Sequence, residues 1–111
     1  MNWLELIDIN QLDNIDQDSI NQSIIIFKHS TRCSISNMVK DRFERQWSNP
    51  SEQVSIYLLD LLNHRDISNE IALRYQIEHQ SPQVLVIKNK LCTYVANHNG
   101  ISANETVQAC V

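Results

Sequence analysis

The chain has 111 residues but only one glycine and two prolines. Phosphate cradles of the GxxxxGKS or GxGxxG kind need several glycines to let the backbone approach the ligand, so they are excluded. Two prolines exclude a proline-rich linker. Long apolar runs are missing too. The longest strongly apolar stretches, Ile24–Phe27 and Val84–Ile87, fall far short of the ~20 residues that cross a bilayer. Positive charge is scarce: nine Lys and Arg face thirteen Asp and Glu, for a net charge of −4. That argues against nucleic-acid binding through a basic face. Cysteine pairs are lacking. Cys33, Cys92 and Cys110 form no CxxC and no zinc-ribbon spacing, and an odd count makes a poor disulfide framework. The first residues carry no basic segment, and Glu5 and Asp8 interrupt any apolar run. The expectation is a cytoplasmic chain with reduced thiols and no membrane partner.

What is present suffices for one domain over residues 1–111, since 42% of the chain is hydrophobic. Ile24–Lys28 is a β-branched apolar run that predicts a strand buried on both faces. From Ser34 the period turns helical, with Ile35, Met38, Val39, Phe43 and Trp47 assigned to one face. Asn49–Ser51 stops that helix. A second strand is expected over Val54–Leu59, with Asp60 at its end. A second helix is expected over Asn63–Tyr75, with Asn63 as N-cap. Val84–Ile87 and Leu91–Ala96 predict a hairpin around Asn89–Lys90. Ser102–Glu105 fits a capping box opening a last helix that carries Val107, Cys110 and Val111. Trp3–Ile9 reads as a strand and Gln11–Ser19 as a short helix or loop. The order β-α-β-α-β-α-β-β-α predicts an α/β three-layer sandwich: a mixed central sheet flanked by helices, with a parallel middle crossover and an antiparallel closing hairpin.

Cys33 falls where the first confident strand hands over to a helix. The first N–H groups of a helix have no partner within it, and its dipole places partial positive charge there. Both favour thiolate over thiol, and the thiolate is the nucleophile. Arg32, and His29 if protonated, push the same way, and Ser34 and Ser36 offer hydroxyls to the sulfur. The competing reading is a small buried hydrophobe, the commonest fate of a free cysteine. Ser81–Pro82 is the second element. A cis bond there would leave the Ser81 backbone free to pair with an incoming peptide or thiol, although trans is the commoner state of such bonds. Cys92 and Cys110 read as packing residues, with a distant resolving thiol as the alternative for either. His79 and His98 could approach the same face, and each is more simply a surface histidine. His29, Cys33 and His79 have metal-ligating side chains but no ligand spacing, so no metal is expected.

The stretch Phe27–Ser36, FKHSTRCSIS, together with Tyr57–Asp60 and Ser81–Val84, resembles the monothiol bacilliredoxins, thioredoxin-fold proteins of the bacillithiol system. The resemblance spans about residues 23–110. It implies a thioredoxin-like fold, Cys33 as the active thiol and Pro82 as a cis-proline facing it. Ser81, Pro82, Thr31 and Arg32 are then the substrate-binding residues, and His29, Ser34 and Ser36 support the thiol. The family usually has Pro after the cysteine, whereas this chain has Ser34. Where a dithiol relative would carry its second cysteine, it has Ser36, so the second thiol must come from solution. The resemblance names that thiol as bacillithiol, a co-substrate rather than a bound cofactor. The implied partners are bacillithiolated client proteins, met by a chain expected to be monomeric. The alternatives keep the fold but make Cys92 or Cys110 the resolving thiol, or make the chain a non-catalytic binding module.

Overall fold

The computed structural model describes residues 1–111. The elements are β1 (Leu4–Glu5), α1 (Gln11–Asp18), β2 (Ser23–His29), α2 (Ser34–Gln46), β3 (Val54–Asp60), α3 (Arg65–Tyr75), β4 (Gln83–Lys88), β5 (Leu91–Asn97) and α4 (Ala103–Ala109). They form one mixed sheet in the order β1-β3-β2-β4-β5. β1, β3 and β2 are parallel, and β4 is antiparallel to both β2 and β5. All seven residues of β2 are buried, as expected of a central strand covered on both faces.

Alternation along β2 divides the interior into two cores. Ile24 and Ile26 meet Leu12 and Ile15 of α1 and Ile67, Ile71 and Tyr75 of α3. Ile25 and Phe27 meet Val39 and Phe43 of α2, with Ala103 and Cys110 closing the far side. Trp3 and Trp47 pack on this second core: Phe43 stacks with Trp3, centroids 6.0 Å apart, and lies 5.8 Å from Trp47. The expected three-layer α/β sandwich follows.

Several local expectations are corrected. The first strand is two residues long, not Trp3–Ile9. The Gln11 carboxamide accepts the N–H groups of Ile7 and Asp8 at 2.7 and 2.9 Å, turning the chain out of the sheet after Leu6. The N-cap of α3 is His64. Asn63 instead donates its side-chain amide to Asp60 Oδ2 at 2.7 Å, closing the end of β3. α4 ends at Ala109, with Cys110 as its C-cap and Val111 exposed beyond it.

The buried face of α2 is also rotated from the expected one. It presents Ser36, Val39 and Phe43, while Ile35 and Met38 are 48% and 51% exposed. Hydrophobic periodicity scores serine as polar, yet Ser36 is wholly buried because its hydroxyl satisfies groups at the end of β2. The β4–β5 hairpin is as expected, with Asn89 and Lys90 both left-handed at φ 52° and 67°. Asn89 N–H donates to Ser19 O, and Lys90 N–H to Ser19 Oγ, each at 2.8 Å.

Candidate active site

β2, the central strand, ends at His29, after which Ser30–Cys33 loops over to α2, so the site forms at the edge made by the C-terminal end of β2. Cys33 is the N-cap of α2, extended at φ −102° and ψ 121°, and half-buried. Its N–H donates to Ser30 O at 3.2 Å, and its carbonyl accepts the Asn37 N–H at 3.0 Å. The Asn37 side chain donates to Thr31 O at 3.2 Å. The first turn of α2 contains no acidic residue, and the Cys33 side chain does not cap it. The sulfur therefore stands at the positive end of a 13-residue helix with no nearby carboxylate on that turn. Thr31, Arg32 and Ser34 are exposed around it.

Ser36 does not serve the sulfur as expected. Its Oγ accepts the Ser30 N–H at 3.0 Å and lies 2.6 Å from His29 Nδ1. Neither Ser34 nor Ser36 bonds to Cys33 Sγ. The hydroxyl at the position of a second cysteine is a buried tie between helix and loop. His29 supplies no charge either. Burial, reinforced by Lys40, pulls its pKa below the ordinary histidine value, so the ring is neutral at pH 7. The carboxylate of Asp60, whose β3 position pairs with His29, acts in the opposite direction. Asp60 Oδ1 is buried without a partner.

Pro82 is buried just before β4, and the Ser81–Pro82 peptide is cis. Gln83 pairs with Lys28 across β2–β4, so Pro82 lies beside the end of β2 from which the Cys33 loop departs. Its carbonyl accepts the His98 N–H at 2.9 Å. Ser81 makes no backbone hydrogen bond within the chain, and its hydroxyl is likewise unpartnered. The topology thus brings His29, Thr31, Arg32, Cys33, Ser34, Ser36, Ser81 and Pro82 to one edge. His79 and His98 join it, His79 facing inward toward β2 and His98 acting through its backbone.

Cys92 and Cys110 do not join that edge. Cys92 pairs with Ile87, which pairs with Ile24 near the start of β2. The Cys110 carbonyl accepts the Ser23 hydroxyl at 2.9 Å, again at the start of β2. A seven-residue strand separates both from Cys33, roughly 20 Å at ~3.3 Å per residue. A disulfide needs Cα atoms within about 7 Å, so neither can serve as a resolving thiol in this fold. Burial raises the pKa of each.

Three polar groups escaped the sequence reading. Lys28, taken only as a strand end, is fully buried. Its ammonium donates to Ser68 O at 3.2 Å and lies 3.4 Å from His79 Nδ1. Burial lowers its pKa to about 8. Gln83 is also buried; its amide donates to Glu78 O at 3.0 Å and to Asn97 Oδ1 at 2.9 Å. Asn37 holds the loop at Thr31. The available signal was a lysine inside an otherwise apolar run.

The model of the family described as monothiol bacilliredoxin BrxC matches residues 4–106. The chain belongs to this family. Among solved structures, it is similar to a thioredoxin-fold chain grouped with oxidoreductases, at 27% identity and a TM-score of 0.78, covering 96% of this chain and 91% of that one. It is also similar to Fasciola hepatica thioredoxin, at 14% identity and a TM-score of 0.74, covering 96% and 98%. Malassezia sympodialis thioredoxin matches at 14% and 0.71, covering 97% and 88%. The fold of this bacilliredoxin-family chain is therefore that of thioredoxin, and its family supports a redox role.

Proposed function

We propose that this chain is a thiol-disulfide oxidoreductase that removes bacillithiol from client proteins through Cys33 alone. One observation carries the reading. The single cysteine at the active edge stands at a helix N-terminus, Ser36 is locked where a partner thiol would sit, and the other two cysteines lie at the far end of the sheet. Membership of the monothiol bacilliredoxin family supports bacillithiol as the thiol exchanged.

In the first step the Cys33 thiolate attacks the bacillithiol sulfur of a client mixed disulfide. The client–bacillithiol S–S bond breaks, and the client leaves as a thiolate that takes a proton from solvent. Cys33 now carries bacillithiol. The thiolate of a second bacillithiol attacks that sulfur, forming bacillithiol disulfide and returning Cys33 as thiolate. The client gains two electrons, supplied by the second bacillithiol, and no bound cofactor or metal is required. The free backbone of Ser81 offers a donor and an acceptor to the segment carrying the disulfide, beside Pro82. Thr31 and Arg32 flank the sulfur on the exposed side, suited to contact the same substrate. The proposed setting is the cytoplasm, where thiols are kept reduced, and the proposed acting species is the monomer.

The reduced protein mixed with a bacillithiolated client should release the client thiol and gain one bacillithiol mass on Cys33, read by intact-mass spectrometry. Cys33→Ala should do neither. Equal thiol release by Cys33→Ala would refute the reading. A wild-type protein that binds the client without exchange would identify a binding module instead.

A further inference from the structure

Lysine is almost never fully buried without a charged partner, yet Lys28 has no carboxylate against it. Its ammonium is a donor only, so His79 Nδ1, at 3.4 Å, is the acceptor and the ring proton sits on Nε2. The Ser68 hydroxyl lies 3.3 Å from the same nitrogen. His79 belongs to the segment between α3 and β4 that ends in Ser81–Pro82. This segment has no sheet ladder of its own. The Ile77 N–H turns back to Ala72 O at 3.1 Å, Gln83 holds Glu78 O, and His98 N–H holds Pro82 O. At its middle, the ties to the body of the protein converge on His79 Nδ1: the Lys28 ammonium, which carries the charge, and the Ser68 hydroxyl that the same ammonium fixes through Ser68 O.

We propose that Lys28 is a positioning residue for disulfide exchange: acting through His79, it holds residues 78–81 so that Ser81 and Pro82 stand against Cys33. The inference rests on the reading of Cys33 and Ser81–Pro82 as the exchange site. Lys28 lies on the sheet face of Ile24 and Ile26, whereas His29 and Ser36 lie on the opposite face, under α2. Removing the amine therefore leaves the surroundings of Cys33 unchanged, and loosens the substrate-facing segment together with its contact to Ser68 of α3. An apolar side chain would fill the space at lower desolvation cost but would give the segment no directional tie.

The test compares wild type with Lys28→Met, His79→Phe, His79→Asn and the Lys28→Met/His79→Phe double variant. The readouts are amide hydrogen exchange at Ile77 and His98, whose N–H groups bond Ala72 O and Pro82 O at the two ends of the segment, KM and kcat on a bacillithiolated peptide, the rate of Cys33 alkylation by iodoacetamide, and the thermal midpoint. Lys28→Met should keep or raise the midpoint. It should speed exchange at Ile77 and His98 about tenfold and raise KM about five- to tenfold, the scale of one lost charge-assisted hydrogen bond. kcat and the alkylation rate should stay within about twofold of wild type. His79→Phe should match Lys28→Met, and the double variant should be no worse than either. His79→Asn, whose carboxamide oxygen can still accept from Lys28, should stay near wild type. Unchanged exchange at Ile77 and His98 in both Lys28→Met and His79→Phe overturns the proposal whatever the activity. An alkylation rate that falls together with the rise in KM also overturns it, because Lys28 would then act on Cys33. A wild-type protein inert on the peptide, with exchange faster in Lys28→Met, overturns the proposed reaction and leaves the tie standing. Because His79 is exposed, its two variants keep the test decisive if Lys28→Met does not fold.

Discussion

At the scale of single residues, the site is shaped by polar atoms whose surroundings leave them little choice. Ser36 is the clearest. Its hydroxyl is the only hydrogen-bond partner of the Ser30 N–H and the partner of His29 Nδ1. Ser36→Ala leaves both without a protein partner, His29 in a buried position, which costs about 1–3 kcal/mol. Urea denaturation should show that loss, and Ser36→Thr should not simply restore it, since an added methyl must fit a fully buried position. Lys28 gives a pH prediction with a definite sign. Its pKa is about 8 in the folded protein against 10.5 unfolded. Between those values the unfolded chain binds more protons, so this residue's penalty on folding is complete below pH 8 and fades as pH rises toward 10.5. Lys28→Met should therefore exceed wild type in stability by at most about 3 kcal/mol at pH 7, and the gap should narrow between pH 8 and 10. Denaturation curves of both proteins across that range check this. A gap independent of pH would contradict it. The same sign holds for His29 in a lower window: burial depresses its pKa, so its ring is neutral and costs nothing above the unfolded histidine pKa, and stability is lost as pH falls below that value.

At the scale of elements, ties between neighbours hold the layers in place. α1 and α3 are joined by Arg74, which meets Glu70 and Asp13 at 3.0 Å and Asp16 at 3.1 Å. Tyr75 donates its hydroxyl to the other oxygen of Asp16. The Arg74 head is partly exposed, so Arg74→Ala should cost about 1 kcal/mol or less, and less still in high salt. Tyr75→Phe should lose about as much without the salt dependence, because a neutral donor is removed. Paired denaturation series at low and high salt separate the two. The β4–β5 hairpin carries a different strain. Lys90 sits at φ 67°, a conformation costing an L-residue roughly 1 kcal/mol. Lys90→Gly should raise the thermal midpoint while keeping the N–H bond to Ser19.

For the whole molecule, the sheet sorts the three cysteines by place. Cys33 is half-buried at the edge where β2 ends; Cys92 is half-buried against the α1–α3 core; Cys110 is buried in the α2–α4 core. Burial discourages ionisation of the last two. Timed alkylation of the native protein should modify Cys33 first, Cys92 more slowly, and Cys110 only as fast as the chain opens. Peptide mapping gives that order, and early labelling of Cys110 would contradict the fold. After mild oxidation, only mixed disulfides on Cys33 should appear, since no intramolecular bridge spans the length of β2.

The sequence alone determined the element order, the buried central strand, the hairpin and the placing of Cys33 at a strand-to-helix junction. These depend on local periodicity, turn chemistry and capping, which neighbouring residues report directly. It did not show which face of α2 turns inward, because that rotation is set by a hydrogen bond between Ser36 and a histidine seven residues away on another element. Nor did it show that Lys28 is buried against His79, 51 positions later, or that Cys92 and Cys110 lie beyond reach of Cys33. Those facts arise from contacts between segments distant in the chain. The opening shortage of cysteine pairs is thereby resolved by position: the fold leaves one thiol at the working edge and keeps the other two a strand's length away.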